Sequence, residues 1–421
     1  MSIRKYNPKQ GARIGLSLGL MLGLSGGAAA ELAVDSCPPE RLQAVARYFS
    51  VTTAEAPQHY QSAYRQFPAR AIGAAPDPLP LARGKPLGEV EFRYADSARR
   101  LDDFLQDTRT HAFLVLHKGQ IRREQYFNGG TAETRFLANS LTKSLVGLLV
   151  GVALEQGLIA SLDEPVSLYL PELAGSAYDS ASVRQVLDMT TAVRFAGQDP
   201  KAAGRGRDIE AAAGRSFACG QSLRPHPASA LPSEDARHGE RFSYVNTNTQ
   251  VLGALLERVA GMSLSQFMER NLWSRIGTED MAYWLVDQPA VDNAMEHAWM
   301  GFNARLRDYA RVGQLLLQEG EWQGQALIAK DWLEASEKPT EGFLQRLPER
   351  PQFGYSHQWW IPFGGAGELM GIGFGGQYLY VNRPSQLVVV QLSANPAYDP
   401  QQTSEQALAA FRAIADQLEQ E

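Results

Sequence analysis

A serine and a lysine separated by two residues form the first candidate for catalysis. Ser140 and Lys143 stand in the run Ser-Leu-Thr-Lys, and this spacing places both side chains on one face of a helix. A lysine can take the proton of a serine only when its amine is neutral, and burial among apolar groups lowers its pKa. The following residues are strongly apolar, which favours a buried helix start. Because the same spacing occurs at Ser2 and Lys5, a helix-capping serine followed by a surface lysine remains the alternative.

A tyrosine and an asparagine separated by one residue form the second candidate. The hydroxyl of Tyr244, near a lysine, can relay the serine proton to a leaving group, and Asn246 can hold a substrate amide. The same triplet occurs at residues 126–128 and 380–382, but only Tyr244 approaches a predicted helix through a turn-like segment. The alternative is a turn tyrosine, with Asn246 capping the helix predicted to begin at residue 247.

A glycine-rich run that leads into a late strand forms the third candidate. Residues 371–377 read Gly-Ile-Gly-Phe-Gly-Gly-Gln. Glycine lets backbone approach a substrate closely, which makes Gly375 and Gly376 candidate substrate-binding residues. A backbone N–H at the edge of the strand can complete an oxyanion hole. The alternative is a tight hairpin turn, which glycines form equally well.

The predicted elements bring both ends of the chain into one sheet. A strand hairpin at 111–116 and 121–127 precedes a long apolar helix at 140–156, and three strands are predicted at 358–362, 377–382 and 386–393. Further helices are predicted at 38–49, 99–105, 247–259, 264–272, 303–318 and 404–418. Because strand–helix–strand alternation is missing, the pattern indicates an α+β fold and not a doubly wound one. The segment between the two halves of the sheet is mostly helical.

The first thirty residues have the order of a secretory signal peptide. Four basic residues and no acid lie in 1–13, an apolar run covers 14–24, and a small-residue segment ends at Ala30. The apolar run is shorter than the roughly 20 residues that span a bilayer. We therefore predict cleavage after Ala30 and a periplasmic or secreted protein with no stable membrane anchor.

Composition and charge exclude several function classes. The chain has 421 residues, 44% hydrophobic and 20% charged, which is a globular composition. The formal net charge is −6, so there is no basic field to attract nucleic acid. No histidine spacing typical of a metal site is present, and we expect no metal or cofactor. Cys37 and Cys219 are the two cysteines, and the sequence leaves them either paired or free.

Together, the order Ser-x-x-Lys, Tyr-x-Asn and Gly-Gly resembles that of the class C β-lactamase and D,D-peptidase superfamily of serine hydrolases. Segments 242–256, 303–317 and 373–381 look most like its 6-aminohexanoate-dimer hydrolase branch. The resemblance covers roughly residues 90–415 and implies an α/β sandwich with an antiparallel sheet flanked by helices. With the predicted signal peptide at 1–30, the chain then divides into an N-terminal extension at 31–88, the sandwich at 89–165 and 300–421, and a mostly helical insertion at 166–299.

The resemblance also implies a role for each candidate residue. Ser140 is then the acyl-forming nucleophile, Lys143 its base and Tyr244 the proton relay. The backbone N–H groups of Ser140 and Gln377 form the oxyanion hole. Apart from the resemblance, the composition of segment 197–238 suggests a mobile loop, and whether this loop covers the site is left open.

One departure from the family pattern bears on the substrate. Where penicillin-recognising members carry Lys-Thr-Gly or His-Thr-Gly, this chain has Phe374-Gly375-Gly376, and phenylalanine cannot pair with the carboxylate of a β-lactam. The sequence thus predicts an exported serine hydrolase of a small ester or amide. A β-lactamase or D,D-peptidase, and a non-catalytic binding protein on the same fold, are the alternatives. The oligomeric state is left open.

Overall fold

The computed structural model describes residues 37–196, 207–289 and 293–421. The chain divides into two compact units, Met1–Pro38 and Pro39–Glu421, and the described helices and strands belong to the second unit. The predicted signal peptide lies outside the described residues and remains a prediction. Residues 197–206, the first part of the loop at 197–238, lie outside them as well.

The described strands and helices are numbered in chain order. The strands are β1 Ala69–Ile72, β2 Ala82–Arg83, β3 Glu91–Tyr94, β4 Ser97–Arg100, β5 Thr110–His117, β6 Gln120–Tyr126, β7 Arg135–Leu137, β8 Val193–Arg194, β9 Leu231–Pro232, β10 Ala282–Leu285, β11 Phe302–Arg305, β12 Glu321–Trp322, β13 Gln325–Ala326, β14 Phe353–Ser356, β15 Trp359–Pro362, β16 Glu368–Gly373, β17 Gln377–Asn382 and β18 Leu387–Ser393. The α-helices are α1 Pro39–Tyr48, α2 Ala56–Tyr60, α3 Ala63–Gln66, α4 Leu101–Asp107, α5 Leu141–Glu155, α6 Val166–Tyr169, α7 Val183–Leu187, α8 Glu210–Cys219, α9 Asn246–Ala260, α10 Leu264–Asn271, α11 Leu306–Leu317, α12 Lys330–Ser336, α13 Gly342–Gln345 and α14 Gln402–Glu419. Short 3₁₀ segments occur at Pro171–Leu173, Pro227–Ser229 and Trp273–Arg275.

An eight-stranded sheet in the order β14-β15-β16-β17-β18-β5-β6-β2 forms the centre of the second unit. Its strands are antiparallel, except that β2 runs parallel to β6. Side chains alternate along a strand, so Leu114 and Leu116 of β5 face one hydrophobic core, while Phe113 and Val115 face another. Helices α5 and α11 share the first core, and α4 and α14 share the second. This confirms the predicted α+β sandwich.

A smaller antiparallel sheet links distant parts of the chain. Its order is β1-β10-β11-β7, so a strand from 166–299 pairs with a strand of the predicted N-terminal extension and with β11. The rest of 166–299 contains α6 to α10, the 3₁₀ segments and the two-stranded β8-β9 sheet. The domain boundaries assigned from the sequence remain a prediction.

One predicted helix begins later than the sequence indicated. The prediction began it at Asn303, but residues 302–305 form β11, which pairs with both β10 and β7. Asn303 is fully buried, and its Nδ2 donates to the carbonyl of Gly301 at 2.9 Å. Helix α11 begins only at Leu306. The physical reason is long-range pairing on both sides of β11, which overrides the helical pattern of the sequence.

Three further observations bear on function. Within the described ranges, no helix is long and apolar enough to cross a membrane. No group of three or more His, Cys, Asp or Glu side chains in that part of the chain is arranged to hold a metal ion. Cys37 and Cys219 are both disulfide-bonded, which resolves the alternatives that the sequence left open.

Candidate active site

Ser140 stands at the start of α5, a buried helix of the first core. Every residue of α5 from Leu141 to Ala153 is buried. Ser140 is the N-cap residue, with φ −64° and ψ −11°, but its hydroxyl makes no capping hydrogen bond. Instead, its Oγ lies 2.8 Å from the Nζ of Lys143. The capping alternative is therefore wrong, because the Ser140 side chain does not cap the helix. Its hydroxyl is available to act as a nucleophile.

Burial controls the protonation of Lys143. The side chain is 1% exposed, and its Nζ donates to the carbonyl of Trp299 at 2.8 Å. Burial lowers the pKa of Lys143 well below 10.5, and the carboxylate of Asp208 only partly opposes this shift. The Nζ also lies 5.2 Å from the ring centroid of Tyr244 and 5.4 Å from that of Trp299. A lysine so placed can present a neutral amine to the serine hydroxyl.

Tyr244 completes the contacts of the serine hydroxyl. Its side chain forms a hydrogen bond with Ser140, and burial raises its pKa well above 10.0. The preceding residue, Ser243, is fixed by a backbone hydrogen bond of 2.7 Å to the carbonyl of Met189. A phenol that keeps its proton can donate it to an atom bound near the serine. The structure thus brings Ser140, Lys143 and Tyr244 together.

Asp208 orders the segment that follows Tyr244, and sequence reasoning missed it. Its Oδ1 accepts from the backbone N–H of Asn246 at 2.9 Å, and its Oδ2 accepts from the N–H and hydroxyl of Thr247 at 2.7 and 2.5 Å. Asn246 is therefore the first residue of α9 and not its cap. The cap comes from a carboxylate 38 residues earlier in the chain, and no local spacing in the sequence indicates that.

The glycine-rich run lies directly against the start of α5. A Cβ at Gly373 would overlap the carbonyl oxygen of Ala138, and one at Gly371 would overlap the side chain of Leu141. Asn139 adopts a φ of 47° and donates from its Nδ2 to the carbonyl of Phe374 at 2.8 Å. The turn between β16 and β17 is therefore held beside the nucleophile by close backbone packing and by this hydrogen bond.

The glycines and the glutamine of that turn have different structural roles. Gly375 and Gly376 have φ of 83° and 93°, a region that favours glycine. The side chain of Gln377 is buried, and its Nε2 donates to the carbonyls of Phe374 and Ser393 at 3.0 and 2.6 Å. It therefore braces the turn. The predicted oxyanion role of the Gln377 backbone N–H remains a prediction, as does substrate contact at the two glycines.

Ser140, Tyr244, Asn246 and Phe374 line a cavity of about 930 Å³, whereas Gly375, Gly376 and Gln377 are not among its lining residues. Two aromatic groups contribute to its wall. Side A consists of Phe49, Phe217 and Trp299, which pack in one hydrophobic cluster. Side B consists of Phe242, Tyr244 and Trp360, which pack in another. The Nζ of Lys143 lies 5.4 Å from the ring centroid of Trp299 on side A and 5.2 Å from that of Tyr244 on side B, so the base is close to one ring of each group.

The N-terminal extension supplies part of this wall, which the sequence did not indicate. Leu42, Val45 and Phe49, on or just after α1, line the cavity together with residues of α8. Helices α1 and α8 contact each other, and the rings of Phe49 and Phe217 lie 5.1 Å apart. The described part of segment 197–238 therefore borders the site from Arg207 to Phe217. An amphipathic pattern was visible at 38–49, but its partner was not.

We expect Gly373→Ala to destabilise the protein by about 1–3 kcal/mol, because the new methyl group would meet the backbone of Ala138, which cannot move away cheaply. Chemical denaturation measures the change in the free energy of unfolding. Gly342→Ala is the matched control, because a Cβ at Gly342 meets nothing within 4 Å. Equal stability of the two variants would contradict the close packing of β16 against the start of α5.

Comparisons of the sequence and of the fold with known proteins point to the same family. The Beta-lactamase family model matches residues 98–413. The 6-aminohexanoate-dimer hydrolase of Paenarthrobacter ureafaciens is 33% identical over 313 residues, which is 72% of this chain and 78% of that protein. A solved Bacillus anthracis structure, assigned as a 6-aminohexanoate-dimer hydrolase, is 26% identical with a TM-score of 0.77, covering 88% of this chain and 96% of its own. A class C β-lactamase shares the fold at 18% identity and a TM-score of 0.53, over 75% of this chain and 93% of its own.

Proposed function

This chain belongs to the β-lactamase family of hydrolases, in its 6-aminohexanoate-dimer hydrolase branch, and from that premise we propose that it cleaves an ester or amide bond through an acyl-enzyme on Ser140. The observation that carries the proposal is the 2.8 Å approach of the buried Lys143 Nζ to the Ser140 Oγ. Burial that favours the neutral amine places a base within one hydrogen bond of the nucleophile, and the substrate is a small molecule that fits the cavity.

Acylation follows from the positions of three side chains. The neutral amine of Lys143 takes the proton of Ser140 as its Oγ attacks the carbonyl carbon, giving a tetrahedral oxyanion. Backbone N–H groups of Ser140 and Gln377 stabilise that oxyanion in the proposed arrangement, at the positive end of α5. Tyr244 donates its proton to the leaving group, the bond to that group breaks, and the proton held by Lys143 restores the phenol.

Deacylation uses the same side chains, with the proton transfers in the opposite direction. A water molecule replaces the departed group, and the neutral amine of Lys143 takes its proton as the oxygen attacks the acyl carbon, either directly or through the phenol of Tyr244, which accepts the water proton while it passes its own to Lys143. Collapse of the second tetrahedral intermediate releases the acid and returns the proton to the Oγ of Ser140. In both halves of the cycle, the buried Lys143 and the half-buried Tyr244 already contact the serine hydroxyl.

We expect Tyr244→Phe to slow amide hydrolysis about 10²–10⁴-fold, the usual contribution of a positioned general acid. Hydrolysis of a p-nitrophenyl ester should fall much less, because p-nitrophenolate leaves without a proton. Comparing kcat on an amide and on a p-nitrophenyl ester with the same acyl group measures the difference. Tyr355→Phe is the control, since the Tyr355 ring packs 6.3 Å from that of Tyr244 but does not line the cavity. An equal loss on both substrates would argue against a proton-donor role.

A substrate panel tests the proposed bond class. Phe374 is 45% exposed and lines the cavity where a penicillin-recognising member would present a cation, which favours neutral esters and short amides over β-lactams. We expect turnover of p-nitrophenyl esters or short amides and little turnover of nitrocefin. Nitrocefin turned over faster than every ester and amide would support the β-lactamase alternative. A folded protein that hydrolyses none of them would support the binding-protein alternative.

We also propose that the protein is exported and that its mature form begins at Glu31. The support is the basic, apolar and small-residue order of residues 1–30. N-terminal sequencing of the protein recovered from the periplasm or medium of an expressing bacterium should then read Glu-Leu-Ala-Val. Recovery in the cytoplasm with residues 1–30 attached would contradict the proposal.

A further inference from the structure

Met189 contacts the chain on both sides of Tyr244. Its carbonyl oxygen accepts from the backbone N–H of Ser243 at 2.7 Å, and its Sδ accepts from the backbone N–H of Val245 at 3.4 Å. Val245 is buried, so its N–H needs a partner inside the protein, and the sulfur provides one although a thioether is a weak acceptor. Both neighbours of Tyr244 are therefore held by a single residue.

The backbone of Met189 adopts a conformation that favours glycine. Helix α7 ends at Leu187 with Asp188 as its C-cap residue, and Met189 follows with a φ of 57°. Helices often end on a glycine in this left-handed conformation, because a side chain makes the conformation unfavourable. The methionine side chain is nevertheless present and fully buried in the second core. It supplies an acceptor for Val245 that a glycine could not.

The same sulfur also contacts the first turn of the helix that follows Tyr244. The Nδ2 of Asn248, on α9, donates to the Met189 Sδ at 3.5 Å. The other end of this amide is fixed, because its Oδ1 accepts from the hydroxyls of Tyr178 and Thr191 at 2.8 and 2.9 Å. Met189 therefore joins the residue before α9 to the first turn of α9, directly after Tyr244.

Met189 can influence the reaction only through its neighbours. It does not line the catalytic cavity, whereas Tyr244 does, and the Tyr244 phenol already forms a hydrogen bond with Ser140. A proton donor works only while its oxygen stays within hydrogen-bond reach of the reacting atoms. Small displacements of a catalytic group are costly in rate, so the segment that carries Tyr244 must be held in place.

We propose that Met189 is a positioning residue for Tyr244, whose sulfur and carbonyl oxygen hold the phenol where it can donate its proton to the leaving group. This inference rests on the proposed function, because Tyr244 is the proposed proton donor. It separates Met189 from an ordinary core residue, whose replacement would lower stability or slow every substrate alike.

An amide and a p-nitrophenyl ester with the same acyl group test this inference. The quantity measured is the ratio of kcat/KM for the amide to that for the ester, because only the amide needs a proton on its leaving group. Both substrates are assayed on one preparation, so the fraction of folded protein cancels. Met189→Leu conserves the buried volume and removes the sulfur. We expect it to lower the ratio about 3-fold to 10-fold, as for loss of one hydrogen bond.

A second background makes the result specific to Tyr244. If Met189 acts through the phenol, Met189→Leu should lower the ratio no further in a Tyr244→Phe protein. Met268→Leu is the control, because Met268 is a buried methionine of α10 in the first core, outside the cavity lining, and its ratio should match that of the parent protein. An unchanged ratio in Met189→Leu, or the same fall in both backgrounds, would overturn the inference.

Norleucine keeps the inference testable if Met189→Leu does not fold. It has the unbranched shape of methionine with a methylene group in place of the sulfur, and a methionine auxotroph incorporates it throughout the chain. The ratio should fall in the norleucine form of the parent protein and not in that of Tyr244→Phe. A parent ratio that norleucine leaves unchanged would overturn the inference.

Failure of the inference can be told apart from failure of the proposed function. A fall of the ratio in Tyr244→Phe without a fall in Met189→Leu removes the inference and leaves the function intact. A ratio that Tyr244→Phe leaves unchanged removes the proton-donor role of Tyr244, and the inference with it. If the folded parent protein hydrolyses neither substrate and takes no fluorophosphonate label at Ser140, the proposed function itself fails.

Discussion

Replacing Ser140 with alanine is expected to lower kcat by roughly 10⁴-fold or more, on every substrate that the parent protein hydrolyses. The reason is that Lys143 and Tyr244 both act on the Ser140 Oγ, so removing that oxygen leaves the base and the acid without a nucleophile between them. Labelling with a fluorophosphonate probe should stop as well. Mass mapping of the labelled parent protein should place the adduct on Ser140.

The matched control is the neighbouring buried serine. Ser144 lies on the same helix, and its Oγ donates to the carbonyl of Gln358 at 2.8 Å, but it does not line the cavity. Ser144→Ala should therefore keep its activity while losing about 1 kcal/mol of stability with that hydrogen bond. A Ser140→Ala variant with full activity, or an adduct mapped to another residue, would contradict the proposed mechanism.

The sequence predicted those features of the fold that short-range patterns encode. The hairpin of β5 and β6, the apolar helix α5 and the strands β17 and β18 are each specified by alternation or by a continuous apolar run within a few residues. The Lys118-Gly119 turn of the hairpin has φ of 50° and 74°, as a tight two-residue connection requires. The three motifs could be assigned to one site because their order along the chain resembles that of a known family. Local sequence patterns alone do not show that they lie together.

The features that escaped prediction depend on contacts between distant residues. Asp208 caps α9 from a separate loop. β11 is a strand because β7 and β10 flank it. The Trp359-Trp360 pair illustrates the limit: Trp359 is buried in the first core, while Trp360 lines the cavity. Adjacent residues on a strand face opposite sides, but the sequence does not say which side holds the cavity.

The second large effect concerns the pH dependence set by Lys143. Below the pKa of this lysine in the folded protein its amine is protonated and cannot accept the serine proton, and above that pKa it can. kcat/KM should therefore rise with pH to a plateau, with its midpoint well below 10.5, since burial lowers the pKa of Lys143. The pKa of Tyr244 is raised, so this group keeps its proton over the same range and adds no alkaline decline.

Lys143→Met tests the assignment, because methionine keeps the volume of the buried side chain without an ionisable group. We expect kcat to fall about 10²–10⁴-fold, as for loss of a general base, and the residual activity to lose the acid limb of the profile. Lys330→Arg, at an exposed lysine paired with Glu319, should leave rate and profile unchanged.

Tyr244→Phe separates the two proton-transfer roles within the same experiment. If Lys143 alone sets the acid limb, this variant should be slower and yet keep the midpoint near that of the parent protein. A limb that survives in Lys143→Met would have to come from another titrating group, and the lysine would then serve to hold Ser140 and not to deprotonate it. Loss of the limb only in Lys143→Met identifies the base, because folding defects lower the rate at every pH but do not abolish one ionisation.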